Sequence, residues 1–226
     1  MKIMLLASAI NFLAVGDSIT TGFNANKAFR DARDYSWATG EKINSHATRL
    51  KENHEVTVDN LAVAGSTIDG VMTQIDSYLN QGKIPDYVTF SVGANDLCHA
   101  DFDIDKFEDS LWSAVSMIKL ENENAKIVLL AVPNIVEAYN LVKHERFCRV
   151  MWQKFNVCHR LVTEEPSKTL TQWHDINKAI GNVASEFNDV RVTSEGSMKR
   201  EHISDYDCFH PSAAGQEEIA RVSWEE

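Results

Sequence analysis

Chain breakers are scarce in this sequence. Its 226 residues hold four prolines and ten glycines, with no low-complexity tract and no repeating period, which argues against a disordered, collagen-like or solenoid chain. Positive charge is scarce too: Lys and Arg total 22 against 33 Asp and Glu, a formal net charge of -11. That balance disfavours contact with phosphate backbones, so nucleic acid is not an expected partner. No apolar run approaches the ~20 residues needed to cross a bilayer, so no integral membrane segment is expected. Cys98, Cys148, Cys158 and Cys208 contain no C-x-x-C pair, which speaks against a structural zinc site. Their even number permits two disulfides in any of three pairings, or else four small buried thiols.

What is present is ordinary globular material, with 44% apolar and 24% charged residues. The length suits one α/β domain over residues 1–226 with one substantial core. The opening MKIMLLASA carries one lysine, a short apolar stretch and an Ala-x-Ala-like end. Residues 1–9 read either as the remnant of a secretory signal or as the start of the first strand. Together with the cysteines, this favours a secreted or periplasmic protein, with a cytoplasmic one as the alternative.

Nearly continuous apolar runs predict strands buried on both faces at residues 11–15, 56–63, 87–92, 126–132 and, more weakly, 189–193. Between them lie stretches with helical periodicity: Val71, Ile75, Tyr78, Leu79; then Phe107, Leu111, Val115, Ile118; then Trp173, Ile176, Ile180, Val183, Phe187. Ser66 and Asp69 have the spacing of a helix start. Trp37, Ile43, Ala47 and Leu50 suggest a weaker helix, and a last short one follows Pro211-Ser212. Strands alternating with helices require crossover connections, hence a parallel sheet of about five strands covered on both faces. Ligands in such folds bind beyond the carboxyl ends of the strands.

Those ends carry the chemistry. Gly16-Asp17-Ser18 follows the first strand, Ala64-Gly65-Ser66 the second and Gly93-Ala94-Asn95-Asp96 the third, while Asp207 and His210 lie near the C-terminus. A serine hydroxyl is a poor nucleophile until a base takes its proton, and a neutral imidazole does this well because its pKa lies near working pH. Ser18 is the candidate nucleophile and His210 the candidate base. Asp207, three residues earlier, can orient the imidazole and stabilise its charged form. The N–H groups of Gly65 and Ser18 and the carboxamide of Asn95 are candidate donors to an oxyanion.

The blocks GDSIT (Ser18), VAGST (Gly65), GAND (Asn95) and DCFHPS (His210), in that order, resemble those of the SGNH hydrolases, also called GDSL esterases and lipases. SWATG (36–40), NDLC (95–98) and DCFHPS are similar to strings of the phospholipase B-like branch. The resemblance implies a flavodoxin-like three-layer α/β/α sandwich and hydrolysis of esters or thioesters without metal or other cofactor. It implies a Ser18-His210-Asp207 triad with Ser18, Gly65 and Asn95 as oxyanion donors. The expected partner is a small ester or lipid, lysophospholipids included; the alternatives are a carbohydrate O-acetylesterase, a thioesterase and a non-catalytic binding domain. Residues 134–168, with Arg146, Phe147, Trp152 and Phe155, match no block and are expected to shape an acyl or head-group pocket.

Other residues have plainer expectations. His202, Asp205 and Asp207 are a weak metal candidate. His46, His54, His99, His144, His159, His174 and His202 are expected on the surface or on helix faces. Cys98 reads as half a disulfide or a buried thiol rather than a nucleophile, and Asp17 and Asp96 as braces of their loops. Trp37, Trp112 and Trp173 are expected as core anchors, and Phe23 and Phe209 as pocket candidates.

Overall fold

The computed structural model describes residues 9–99, 101–154, 158, 166–193 and 196–224. Met1 to Ser8, Phe155 and His159 lie outside the described residues.

Five strands, β1 (Ile10–Gly16), β2 (Val56–Asn60), β3 (Tyr87–Ser91), β4 (Lys126–Leu129) and β5 (Val190–Val192), form one parallel sheet in the order β2-β1-β3-β4-β5. That order is the flavodoxin-like one, with its reversal beside β1, where β2 lies on one side and β3 on the other. The two-residue period of a strand explains the continuous apolar runs. Leu13 and Val15 face one layer with Val88, Phe90, Ile127 and Leu129. Phe12 and Ala14 face the other with Tyr87 and Val128.

The first layer packs against α3 (Ile68–Leu79), α5 (Ile104–Glu121) and α8 (Pro166–Ser185), whose buried stripes are those of the periodic positions. The second packs against α2 (His46–Lys51), α9 (Ala213–Trp224) and the turns that carry Trp37 and Ile43. The short α1 (Ser18–Thr21) and α4 (Ala94–Cys98) stand at strand ends, and α6 (Ile135–Val142) and α7 (Arg146–Lys154) follow β4. Among the described residues no helix is long and apolar enough to cross a membrane.

Several expectations need correcting. β2 stops at Asn60, whose Oδ1 accepts from the Arg33 guanidinium and the Ala62 N–H. β4 stops at Leu129, because the Ala131 and Val132 N–H groups donate to the side chains of Thr193 and Asn177 instead of to a strand. Trp37 lies outside any helix, and α2 begins only after Ser45, whose Oγ accepts the Thr48 N–H. Trp112 sits one residue beyond the buried Leu111 and so faces outward, 43% exposed, donating to Glu186. His46 is fully buried, with its ring nitrogens 2.7 Å from the Tyr87 hydroxyl and 2.7 Å from Ser223 Oγ. The cysteines pair as Cys98–Cys158 and Cys148–Cys208.

Candidate active site

Gly16 ends β1 with φ +146°, and a Cβ there would stand 2.5 Å from the Ser91 carbonyl oxygen. Only glycine fits such a close approach in that conformation. The chain can therefore turn at once into α1, with Asp17 as its cap: Asp17 Oδ1 accepts the Ile19 N–H at 2.9 Å and the Ser91 hydroxyl at 3.2 Å. Ser18 is left at the rim of the sheet.

The loop of Asp207 and His210 reaches the same rim. An isolated bridge between Ile203 and Pro211 closes it, the Ser204 N–H donates to the His210 carbonyl, and Cys208 ties it to α7. His210 Nε2 lies 2.8 Å from Ser18 Oγ, and His210 Nδ1 lies 2.5 Å from Asp207 Oδ2. Asp207 Oδ1 accepts the N–H groups of Phe209 and His210, and Oδ2 accepts Asn24 Nδ2. Burial opposes the Asp207 charge, but these hydrogen bonds and the imidazole outweigh it, and the carboxyl is held below its usual range. Phe23 and Phe209 each meet the His210 ring edgewise at 5.0 Å, and Phe209 rests in turn on Trp152.

Asn95, on α4, donates from Nδ2 to the Ser66 carbonyl at 2.9 Å and to Asp17 Oδ2 at 3.5 Å. Gly65 is exposed in the turn after β2, with φ +85°. Its loop is drawn to Ser18 by the Val63 N–H, which donates to the Gly16 carbonyl at 3.0 Å. Asp96 is a brace as expected: its Oδ1 accepts the Ile68 N–H at the start of α3, where Thr67 occupies the cap position without a side-chain bond.

Ser18, Asn95 and His210 open into one apolar cleft. Its walls are Leu130, Ala131 and Pro133 after β4, Ile135 and Ala138 of α6, Met198, Ile203, Phe209, and Ile219 and Val222 of α9. Gly65 and Phe23 lie outside that lining. Of residues 134–168, the start of α6 contributes, whereas Arg146 and Phe147 point to solvent and Trp152 supports Phe209 from behind. His202 lines the cleft, while Asp205 is paired with Arg200 and Asp207 with His210 and Asn24. No group of three His, Cys, Asp or Glu side chains converges among the described residues.

Two contributors escaped the sequence reading. Gln74 lies on the buried stripe of α3 and clamps Gly16, accepting its N–H at 2.8 Å and donating to its carbonyl at 3.0 Å. A polar residue on an apolar stripe was a legible signal. Asn24 meets Asp207 across 183 residues of chain, and nothing local marks it.

A family model described as GDSL-like lipase/acylhydrolase matches residues 12–222. Among solved structures, TesA aligns at 18% identity and TM-score 0.62, over 95% of this chain and 96% of that one. A lipase/acylhydrolase from Enterococcus faecalis aligns at 16% and 0.63, over 94% and 92% of the two chains. An acetyl xylan esterase from Geobacillus stearothermophilus aligns at 19% and 0.62, over 97% and 94%. At such identities the likeness is one of fold. No curated protein matches the sequence.

Proposed function

Because the chain belongs to the GDSL-like lipase/acylhydrolase family and is thus an ester-bond hydrolase, we propose that it is a serine esterase acting on acyl esters, lysophospholipids among them, through an acyl-Ser18 intermediate. One observation carries this reading: the hydrogen-bonded line Ser18–His210–Asp207 ends at the mouth of an apolar cleft.

His210 Nε2 takes the Ser18 proton as Oγ attacks the carbonyl carbon. The oxyanion that forms is held by the Ser18 and Gly65 N–H groups and by Asn95 Nδ2. Asp207 steadies the imidazolium, which then gives its proton to the departing alcohol; water repeats the sequence and frees the acid. The acyl chain lies against Leu130, Ile135 and Ile219, where its burial contributes about 0.8 kcal/mol per methylene. The two disulfides support a secreted or periplasmic setting.

The test is a series of p-nitrophenyl esters from acetyl to dodecanoyl, with lysophosphatidylcholine, an acetylated sugar and an acyl thioester alongside, given to wild type and Ser18→Ala. Expected are a rise in kcat/KM with chain length over the first several carbons and loss of activity in the variant. Activity confined to acetyl groups would turn the reading into an O-acetylesterase, and activity confined to the thioester into a thioesterase. A folded wild-type protein that neither cleaves any ester nor reacts with a fluorophosphonate at Ser18 would remove the reading altogether.

A further inference from the structure

We propose that Asn24 is a positioning residue that holds the Asp207 carboxylate in line with His210, its carboxamide donating to the same Oδ2 that receives the His210 ring N–H. The inference rests on the reading of Ser18, His210 and Asp207 given above and adds a fourth member to that line.

The carboxamide has one possible orientation. The Phe29 N–H points at one end of it at 2.5 Å and needs an acceptor, so that end is the oxygen; the amino group therefore faces Asp207, 2.5 Å from Oδ2. Asn24 is fully buried and adopts φ +59°, a conformation that asparagine and aspartate tolerate better than most residues. Its backbone is held as firmly as its side chain. The N–H donates to the Arg30 carbonyl at 3.1 Å, and the carbonyl accepts the Ser204 hydroxyl at 2.7 Å.

Asn24 thereby spans two loops. On one side the Phe23 N–H bonds to the Ser18 carbonyl at 3.0 Å; on the other, Ser204 bonds to the backbone of both Cys208 and His210. Asp207 is itself buried, and a carboxylate out of water needs donors on both oxygens. Oδ1 has two amides, whereas Oδ2 has only the His210 ring and Asn24 among the described residues. Without Asn24, Oδ2 would keep the imidazole as its sole partner, and nothing would fix the carboxylate when the ring swings toward the leaving alcohol. Asn24 also competes with the imidazole for Oδ2. Asp17, the other carboxylate that feels the charge of His210, bonds to Ile19, Ser91 and Asn95 and not to Asn24.

A purely structural role is also available to Asn24, since its oxygen braces the segment 24–29 through Phe29. Asn24→Asp separates the two: it keeps the acceptor for Phe29 and the tolerance for positive φ, and puts a carboxyl in place of the neutral donor, so that it and Asp207 must repel or share one proton. The expected result is a fall in kcat of about ten- to a hundredfold, the range for a hydrogen bond to a charged group. KM should stay near the wild-type value, and the acid limb of kcat/KM should move to higher pH. Asn24→Ala, read the same way, serves if the aspartate variant does not fold. Proton NMR of the far-downfield His210 Nδ1 signal gives a readout independent of turnover, and it should shift or vanish in both variants. Ester cleavage by wild type and its loss in Ser18→Ala test the esterase reading separately. A folded variant with wild-type kcat, an unmoved acid limb and an unchanged downfield signal would overturn the role of Asn24 while leaving that reading intact.

Discussion

Asp17 and His46 are buried titratable residues whose charged forms the fold opposes, and they pull stability in opposite directions with pH. Burial pushes the Asp17 carboxyl up to about 6, against the Ile19 and Ser91 hydrogen bonds and the charge of His210. The unfolded chain ionises this group near 3.8, so stability falls as pH rises from there to about 6, and the deficit persists above. At about 1.4 kcal/mol per unit this amounts to roughly 3 kcal/mol. His46 is pushed down to about 3 by burial, helped by Arg191 and Arg49. The unfolded chain takes up a proton below 6.5 that the folded one refuses, so stability falls as pH drops from 6.5 toward 3. Asp17→Asn keeps the acceptor for the Ile19 N–H and removes the charge. It should raise the urea midpoint clearly near neutral pH and little near pH 4, where the acid loss due to His46 then stands out. An equal gain at both pH values would mean that the buried charge is not the cause.

Cys148 and Cys158 are joined to the two site-bearing loops by covalent links that overlap along the chain. Cys98 lies on the helix that carries Asn95, and Cys208 lies between Asp207 and His210; each is joined to a partner 60 residues away. In the chain-entropy model a loop of that length contributes about 4 kcal/mol, less for two that overlap. Cys148→Ser with Cys208→Ser should therefore lower the thermal midpoint and also loosen the His210 loop, reducing kcat more than the fraction unfolded explains. Cys98→Ser with Cys158→Ser should act on the Asn95 side. If either pair lost activity only in proportion to unfolding, the links would be braces of the fold alone. The pairing could not be read from spacing, since four cysteines allow three connectivities and only packing selects one. The strands were legible because each is an apolar run ended by the residues that form the rim. Their last residues were not, because Thr193 and Asn177, far along the chain, take over the hydrogen bonds where β4 was expected to continue. The weak helix held only for Ala47 and Leu50, on α2; Trp37 and Ile43 are buried from separate turns in the same cluster as Phe12 and Ala14. Ser18, Asn95, Asp207 and His210 were readable as block residues, whereas Asn24 and the identity of the cleft walls depend on loops brought together only by the sheet.

At the scale of the whole molecule, charge and cleft point to the same selectivity. The chain carries a formal net charge of -11, and the described cleft lining holds Asp17, Glu137 and Glu218 but neither lysine nor arginine. Glu218 is paired with Arg221 at 2.8 Å, and Glu137 is exposed at the start of α6. A field of one sign in a cleft with apolar walls slows the approach of ligands of that sign and is screened by salt over about 10 Å at 0.1 M. An ester bearing phosphate or carboxylate groups beyond the scissile bond should therefore react with a lower kcat/KM than a neutral or zwitterionic ester of the same acyl length. The gap should narrow as sodium chloride rises, because screening acts on the anion and leaves the neutral ester unchanged. Glu137→Gln should narrow it at low salt in the same direction, through the anionic substrate alone. Equal rates for a matched neutral and anionic pair across the salt series would show that the cleft does not sort substrates by charge.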